Sequence, residues 1–275
     1  MGECPLVSVL MPVYNGEKYV SLAIESILSQ TFQDFEFIIV NDASTDSTKD
    51  IISAYAIKDP RIVIITNESN LNIAGSLNKG IESAKGDFIA RMDADDIALK
   101  DRLEKQSKLL VENPKVAVVG SDIQVIDESG NFLGYRKYPT DSRALKKVIF
   151  RYSPFAHPAV MFRKKVVQDA GGYDKTKSPS EDVDLWFRLG VLYDFMSIPQ
   201  VLLKYRVFLN SSSNKKLRRV EWLTLSMRYN AIVKLKYKIG FFDLVYNILQ
   251  AMTIYLMPIS FRVRLFNFIR NHNFI

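Results

Sequence analysis

Gly86-Asp87-Phe88-Ile89-Ala90-Arg91-Met92-Asp93-Ala94-Asp95-Asp96 is the stretch on which the reading of this chain turns. Residues 88–92 are a short apolar run, which predicts a buried strand. That strand runs straight into three carboxylates within four residues. Acids at the end of a buried strand repel one another and lose solvation, so they require a cation or a polar ligand. Asp93 and Asp95 are two apart and point the same way on an extended backbone. Two hard oxygen donors at that spacing suit Mn²⁺ or Mg²⁺ carrying a phosphate-bearing substrate. An acidic turn capping the next helix, with Asp96 or Asp101 at the N-cap, accounts for the same residues.

Working outward, strand-like and helix-like segments alternate through the first two-thirds of the chain. Strands are predicted at 7–11, 35–40, 61–66 and 116–120, and helices at 17–29, 45–57, 73–84 and 100–112. This rhythm predicts an α/β fold whose mostly parallel sheet is flanked by helices. Ligands of such sheets sit outside the carboxyl ends of the strands. Pro12-Val13-Tyr14-Asn15, Asn41-Asp42, Asn67 and Asp93-Ala94-Asp95 therefore fall along one rim. Residues 123–138 predict a hairpin, 157–162 a strand, 181–189 a short helix and 204–207 a closing strand.

The chain has 275 residues and one cysteine, Cys4, which excludes an internal disulfide framework and a cysteine-rich zinc site. Residues 1–12 lack the basic start and long apolar core of a signal peptide, so a cytoplasmic protein is expected. The net charge of +7 is uneven. From Arg206 onward 12 Lys/Arg face two acids, Glu221 and Asp243, while the preceding residues are net −3. Residues 215–238 read as a basic, aromatic helix and 241–257 as an apolar one. Arg262, Arg264 and Arg270 alternate with aromatic and aliphatic residues. This pattern suits helices on a membrane surface, or helices packing on the core or on a second copy in a homodimer. A basic nucleic-acid-binding module is the non-enzyme alternative, but no recognised nucleic-acid motif accompanies the charge, so no nucleic acid is expected.

Five blocks, in order, give the chain a resemblance over residues 6–210. They are Pro12-Val13-Tyr14-Asn15, residues 41–46, residues 70–80, Asp93-Ala94-Asp95-Asp96 with Asp101-Arg102-Leu103, and Gly171-Gly172-Tyr173-Asp174 with Glu181-Asp182 through Trp186. The chain resembles the family 2 glycosyltransferases of bacterial polysaccharide assembly, inverting enzymes with the GT-A fold, whose sheet is Rossmann-like. The resemblance implies a glycosyltransferase domain at 1–210, with a nucleotide-binding half at 1–122 and an acceptor half at 123–210. A basic amphipathic helical extension follows at 211–275. It implies a UDP-sugar donor, a saccharide acceptor and a hexosyl or N-acetylhexosaminyl group in transfer, and the basic, aromatic tail points to a lipid-linked acceptor at the inner face of the membrane. A sugar-nucleotide pyrophosphorylase is the enzyme alternative. Its Gly-rich phosphate loop is missing after the first strand.

By this resemblance Asp42 accepts the uracil N3 proton, Tyr14 walls the base pocket, and Pro12 and Asn15 shape the loop. Asn72, Gly75 and Asn78 line the nucleotide, with Asn72 standing where the family usually has Gly; Asn tolerates a left-handed backbone. Arg91, Asp93 and Ala94 belong to the nucleotide-sugar site. Asp95 is the metal ligand, with Asp93 on the ribose, the metal or both, and Asp96 is read as a cap for the next helix. Asp182 is the general base. Glu181, Trp186 and His157 are assigned to the acceptor, although Trp186 also reads as a core aromatic and His157 as structural. Many members of the family it resembles place a His where this chain has Phe208. Arg206, or a base from the cluster at 215–219, is expected to supply that positive charge to the diphosphate.

Overall fold

The computed structural model describes residues 4–208, 217–258 and 261–262. Strands β1 (Val7–Val13), β2 (Phe35–Asn41), β3 (Ile62–Thr66) and β4 (Phe88–Arg91) pair in parallel. β5 (Ile97–Ala98), β6 (Val116–Ile126), β7 (Phe132–Arg136), β8 (Met161–Arg163) and β9 (Asp194–Arg206) complete a single sheet. Its order is β3-β2-β1-β4-β8-β6-β9-β5, with β7 joined to β6. β8 is antiparallel to both β4 and β6, and β6 runs parallel to β9. The parallel run therefore stops at β4, and the rest of the sheet is mixed.

Alternation along the strands sorts the core into two layers. Val7, Val9, Met11, Phe35, Phe37, Ile39, Phe88 and Ala90 face α1 (Val20–Leu28), α2 (Thr48–Lys58) and α4 (Arg102–Glu112). Leu10, Ile38, Val40 and Ile89 face the opposite layer. That layer contains α3 (Asn72–Ser83), α5 (Ser142–Val148), α6 (Lys164–Asp169), α7 (Glu181–Gly190) and α8 (Leu217–Val233). Gly80 lets α3 sit close on β1: a Cβ there would come within 2.1 Å of Leu10 Cδ1.

β1 continues through Pro12, past the predicted stop at residue 11. Met92 N donates to Leu10 O, so the even residues of β1 face β4. The pairing with β4 ends at Leu10 and Arg91, and Pro12 lies beyond it, where its missing N–H deprives no ladder partner.

Several elements differ from their expected extents. β6 runs on to Ile126, and most of β9 was not expected. The segment predicted as a strand at 157–162 opens with a 3-10 turn, His157–Ala159, before β8. α8 and α9 (Phe241–Leu256) stand for the two expected tail helices. α8 contributes Met227 and Ala231 to the layer that holds Trp186. α9 is tied to the core by Arg151 Nε on Asp243 Oδ1 at 2.5 Å and by Asn247 Nδ2 donating to Phe150 O at 2.9 Å. Lys215, Lys216, Arg264 and Arg270 lie outside the described residues.

Candidate active site

The three acids that end β4 converge. Ligand atoms of Asp93, Asp95 and Asp96 lie within 4.8 Å of one another. Arg91, buried at the end of β4, grips Asp93 with both terminal nitrogens at 2.8 and 2.6 Å. No comparable cation pairs with the other two carboxylates among the described residues. Burial, then the charge of Asp93, pushes the Asp95 carboxyl up to about 7. Burial, then Asp93 and Asp95, holds Asp96 well above the usual carboxylate range. Asp96 Oδ1 accepts from Arg206 N at 2.8 Å, and its buried Oδ2 has no partner. Three crowded acids with an orphaned oxygen fit a divalent cation held by hard oxygen donors. Asp96 thus belongs to the cluster and is not a helix cap. The residue before α4 is Asp101, which pairs with Lys105.

Beside this cluster, the loops after β1 and β2 are laced together. Asn15, at φ 50°, accepts from Thr45 N at 2.8 Å, and its own N–H donates to Ser44 Oγ at 3.0 Å. Asp46 accepts from Thr48 N and Glu17 N at 3.1 Å each. Asp42 is buried; its Oδ1 accepts from Asn67 Nδ2 at 2.7 Å and from Leu71 N at 2.8 Å. These bonds leave Oδ2 uncommitted and fix the carboxylate on the rim. Tyr14 is half-exposed beside it. Asn72 adopts φ 60°, the left-handed conformation that its type tolerates. Gly75 allows the first turn of α3 to close, since a Cβ there would meet Leu71 Cβ at 2.7 Å.

On the other side of the cluster, the start of α7 places Glu181 and Asp182. A cavity of about 270 Å³ is lined by Arg91, Asp93, His157, Glu181, Asp182 and Tyr205, among others. Asp93 thus shares a space with Asp182, while Asp95 stands one carboxylate away. Burial raises the Asp182 carboxyl, against a hydrogen bond from Val183 N and the charge of Arg91. Burial, then Asp182, pushes Glu181 up to about 7, and its Oε2 is buried without a partner. Ser153 Oγ lies 3.3 Å from Asp182 Oδ2 and 3.0 Å from Phe155 O, and its single proton serves one or the other. Burial, then Arg91, keeps His157 well below its ordinary value, so the ring is neutral, 2.8 Å from the Tyr173 hydroxyl. A neutral imidazole offers a hydrogen bond and no charge for a phosphate.

Three assignments change. Trp186 is fully buried at 0% exposure, edge-on to Phe155 and His157, and has no free face on which a sugar could stack. Asn78 spends its amide on Tyr173, accepting from Tyr173 N and donating to Tyr173 O at 2.8 Å each. It positions the Gly171-Gly172-Tyr173 turn and does not reach a nucleotide. The Arg206 guanidinium donates to the backbone oxygens of Asp95, Asp127 and Glu128 at 2.9, 3.0 and 3.0 Å. It also stacks on Tyr19, 4.5 Å from the ring centre, so it holds backbone in place and is not a free cation for a diphosphate. Phe208 packs on the same Tyr19 ring. The cavity also gains Arg136, Tyr138, Ser153 and Tyr205, which no sequence block marked. They arrive from β7, β9 and separate loops, and only the fold brings them together.

Comparison with known proteins places this geometry in context. The family model described as "Glycosyl transferase family 2" matches residues 8–171. An uncharacterized glycosyltransferase of Methanocaldococcus jannaschii is 42% identical over 74% of this chain and 71% of its own. The O-antigen biosynthesis glycosyltransferase WbnJ of Escherichia coli is 36% identical over 81% of this chain and 88% of its own. Among solved structures, S. aureus TarS in complex with UDP-GlcNAc superposes with a TM-score of 0.66 at 21% identity, covering 83% of this chain and 68% of that one. The mannosyltransferase PcManGT from Pyrobaculum calidifontis, in complex with GDP-Man and Mn²⁺, does so with 0.65 at 17% identity, covering 92% and 70%. These two share the fold, and the fold is GT-A.

Proposed function

From the premise that this chain belongs to glycosyltransferase family 2, we propose that it moves a hexosyl or N-acetylhexosaminyl group from a UDP-sugar to an acceptor hydroxyl, inverting the anomeric centre. The observation that carries this reading is the shared cavity, in which Asp182, its carboxyl raised by desolvation, lines the same space as Asp93 of the acid cluster. A carboxylate whose proton affinity is raised suits the abstraction of an alcohol proton better than an unperturbed one. Asp182 takes the acceptor's hydroxyl proton as its oxygen attacks the anomeric carbon. The bond from that carbon to the nucleoside diphosphate breaks on the opposite face, and the electron pair leaves with the diphosphate. Ser153 orients Asp182, and Arg91 fixes Asp93 for the donor. Asp42, Tyr14, Asn15, Asn72 and Gly75 form the side that receives the nucleoside. Asp93, Asp95 and Asp96 would hold Mn²⁺ or Mg²⁺, which when bound supplies Lewis-acid stabilisation to a diphosphate.

Surface-polysaccharide assembly is the setting favoured by the relatives, among them the amylovoran biosynthesis glycosyltransferase AmsE of Erwinia amylovora. A lipid-linked saccharide acceptor at the inner membrane face fits the tail. α9 exposes Phe241, Phe242, Val245, Ile248, Leu249 and Leu256, while Lys234, Lys236 and Lys238 stand exposed before it. Both acids of the tail are consumed in ion pairs, Glu221 with Arg262 and Asp243 with Arg151. An apolar helix face preceded by exposed lysines, unpaired among the described residues, suits anionic lipid better than a second copy of itself, which would bring like charges together. No helix among the described residues is long and apolar enough to cross a membrane.

A screen of UDP-, GDP- and dTDP-sugars with Mn²⁺, read as nucleotide release, tests the reaction. Asp182→Asn should lose transfer by about 10²–10⁴-fold while keeping donor affinity. Undiminished turnover would remove Asp182 as the base.

A further inference from the structure

The cavity contains one cation that the chemistry above leaves unemployed. Arg136 ends β7 opposite Ile123 of β6, and its guanidinium lies over the Tyr205 ring of β9, 5.7 Å from its centre. Tyr205 pairs with β6 at Val125, two residues along from Ile123, so both side chains stand on one sheet face, on either side of β6. Arg136 makes no ion pair among the described residues, whereas Arg91 is committed to Asp93 through two bonds. The charge of Arg91 is the one that lowers the proton affinity of the α7 acids Glu181 and Asp182 most among the cations. A guanidinium near an aromatic face is held by the ring's charge distribution and still offers a planar fork of N–H donors. That fork matches two oxygens of a phosphate or carboxylate.

The position of this fork narrows its partner. Arg136 shares the cavity with Asp182, the proposed base, and with Ser153, which contacts Asp182. The donor's diphosphate has its own counter-charge in the divalent ion that the acid cluster would hold. At about 270 Å³ the cavity is small for a ligand site, with room for roughly one sugar ring and a small substituent. An anion held by Arg136 in the space it shares with Asp182 lies close to the hydroxyl that Asp182 would deprotonate. We propose that Arg136 is a specificity-determining residue that binds an anionic group, phosphate or carboxylate, on the acceptor sugar. This rests on the reading of the cavity as the acceptor site. It makes the acceptor class a sugar phosphate, such as a saccharide still joined to a lipid diphosphate, or a uronic acid.

The test is a binding titration by isothermal calorimetry, with the full chain saturated in UDP and Mn²⁺ so that the donor's anion site is filled and each probe's own affinity for Mn²⁺ measured without protein and subtracted. The probes are N-acetylglucosamine 1-phosphate, glucuronic acid and neutral N-acetylglucosamine. At least one anionic sugar should bind at least tenfold more tightly than the neutral one. Phosphate and carboxylate are told apart by which of the two does so. Arg136→Gln should erase that preference, a loss of about 10- to 100-fold for a charge-assisted pair. Arg136→Lys should restore part of it, and affinity for UDP with Mn²⁺ should be unchanged in both variants, which also reports an intact fold. Absence of a preference in the wild type, its survival in Arg136→Gln, or weakened UDP binding in that variant would each overturn the proposal. The donor screen separates this from the underlying reading. A wild type that releases nucleotide from no sugar donor sinks the transferase assignment, whereas release without an anion preference sinks only the role of Arg136.

Discussion

At the level of single residues, the site is a contest between burial and compensating charge, and burial wins. Glu181 and Asp182 open α7, where the helix dipole and the charge of Arg91 favour the ionised form. Both carboxyls are nonetheless raised, as are Asp95 and Asp96. An acid whose folded pKa lies above its unfolded value binds more protons when folded, so its contribution to stability is lost as pH rises through the folded pKa. With Asp95 and Glu181 both near 7, metal-free protein should lose stability between pH 5 and 8. Thermal melts in chelator should show the fall, and Glu181→Gln should flatten it; a midpoint that climbs steadily over that window would refute the burial argument. Mn²⁺ should reverse the trend at pH 8. At a hundredfold excess over its dissociation constant it adds about 2.7 kcal/mol, on the order of 5–10 °C for a chain of this size. Asp95→Asn should abolish most of that gain.

Among the secondary-structure elements, what positions the proposed base is a chain of backbone grips. Asn78 on α3 clasps Tyr173, and Arg188 on α7 donates to Ala170 O and Gly172 O at 2.5 and 2.7 Å while pairing with Asp184. The turn at Gly171-Gly172 is thereby fixed between the two helices. Asn78→Ala should cost about 1–3 kcal/mol in urea unfolding, because two backbone groups of Tyr173 lose their partners. It should leave nucleotide affinity nearly unchanged, whereas a large loss of affinity would return Asn78 to the nucleotide site. Periodicity made β1, β2, β3 and β4 readable, since their apolar residues recur where strands and acids meet. β9 was hidden because exposed Pro199 and Gln200 interrupt its pattern, and its register with β6 shifts twice near Ser121–Ile123. α5 was hidden because Leu145 is its only buried residue. The acid run at residues 93–96 stood out by its spacing, which fitted a helix cap as well as a cation, and Asp42 and Asp182 were given their roles only through the family resemblance. The direction of a side chain was not legible, and on that point Trp186, Asn78 and Arg206 were assigned to ligands and turned out to hold structure.

For the molecule as a whole, charge and apolar surface are segregated. The residues up to 205 are net acidic, and the tail joins exposed lysines to the apolar face of α9. The full chain should therefore float with vesicles containing phosphatidylglycerol and stay behind with phosphatidylcholine alone, the difference shrinking as salt rises. Each Phe contributes about 1.5–3 kcal/mol when fully buried, so replacing Phe241 and Phe242 by Glu should weaken that partitioning at least tenfold. A stable dimer that ignores vesicles would instead assign the face to a second copy. The Arg206 clamp bears on the behaviour of the same molecule. One guanidinium staples the tip of the β6–β7 hairpin to the backbone of Asp95. Loop length at residues 127–131 is thus a dial on the proposed cation site: a longer or stiffer tip should retune its affinity without altering any carboxylate, and gives protein engineers a lever outside the acid cluster.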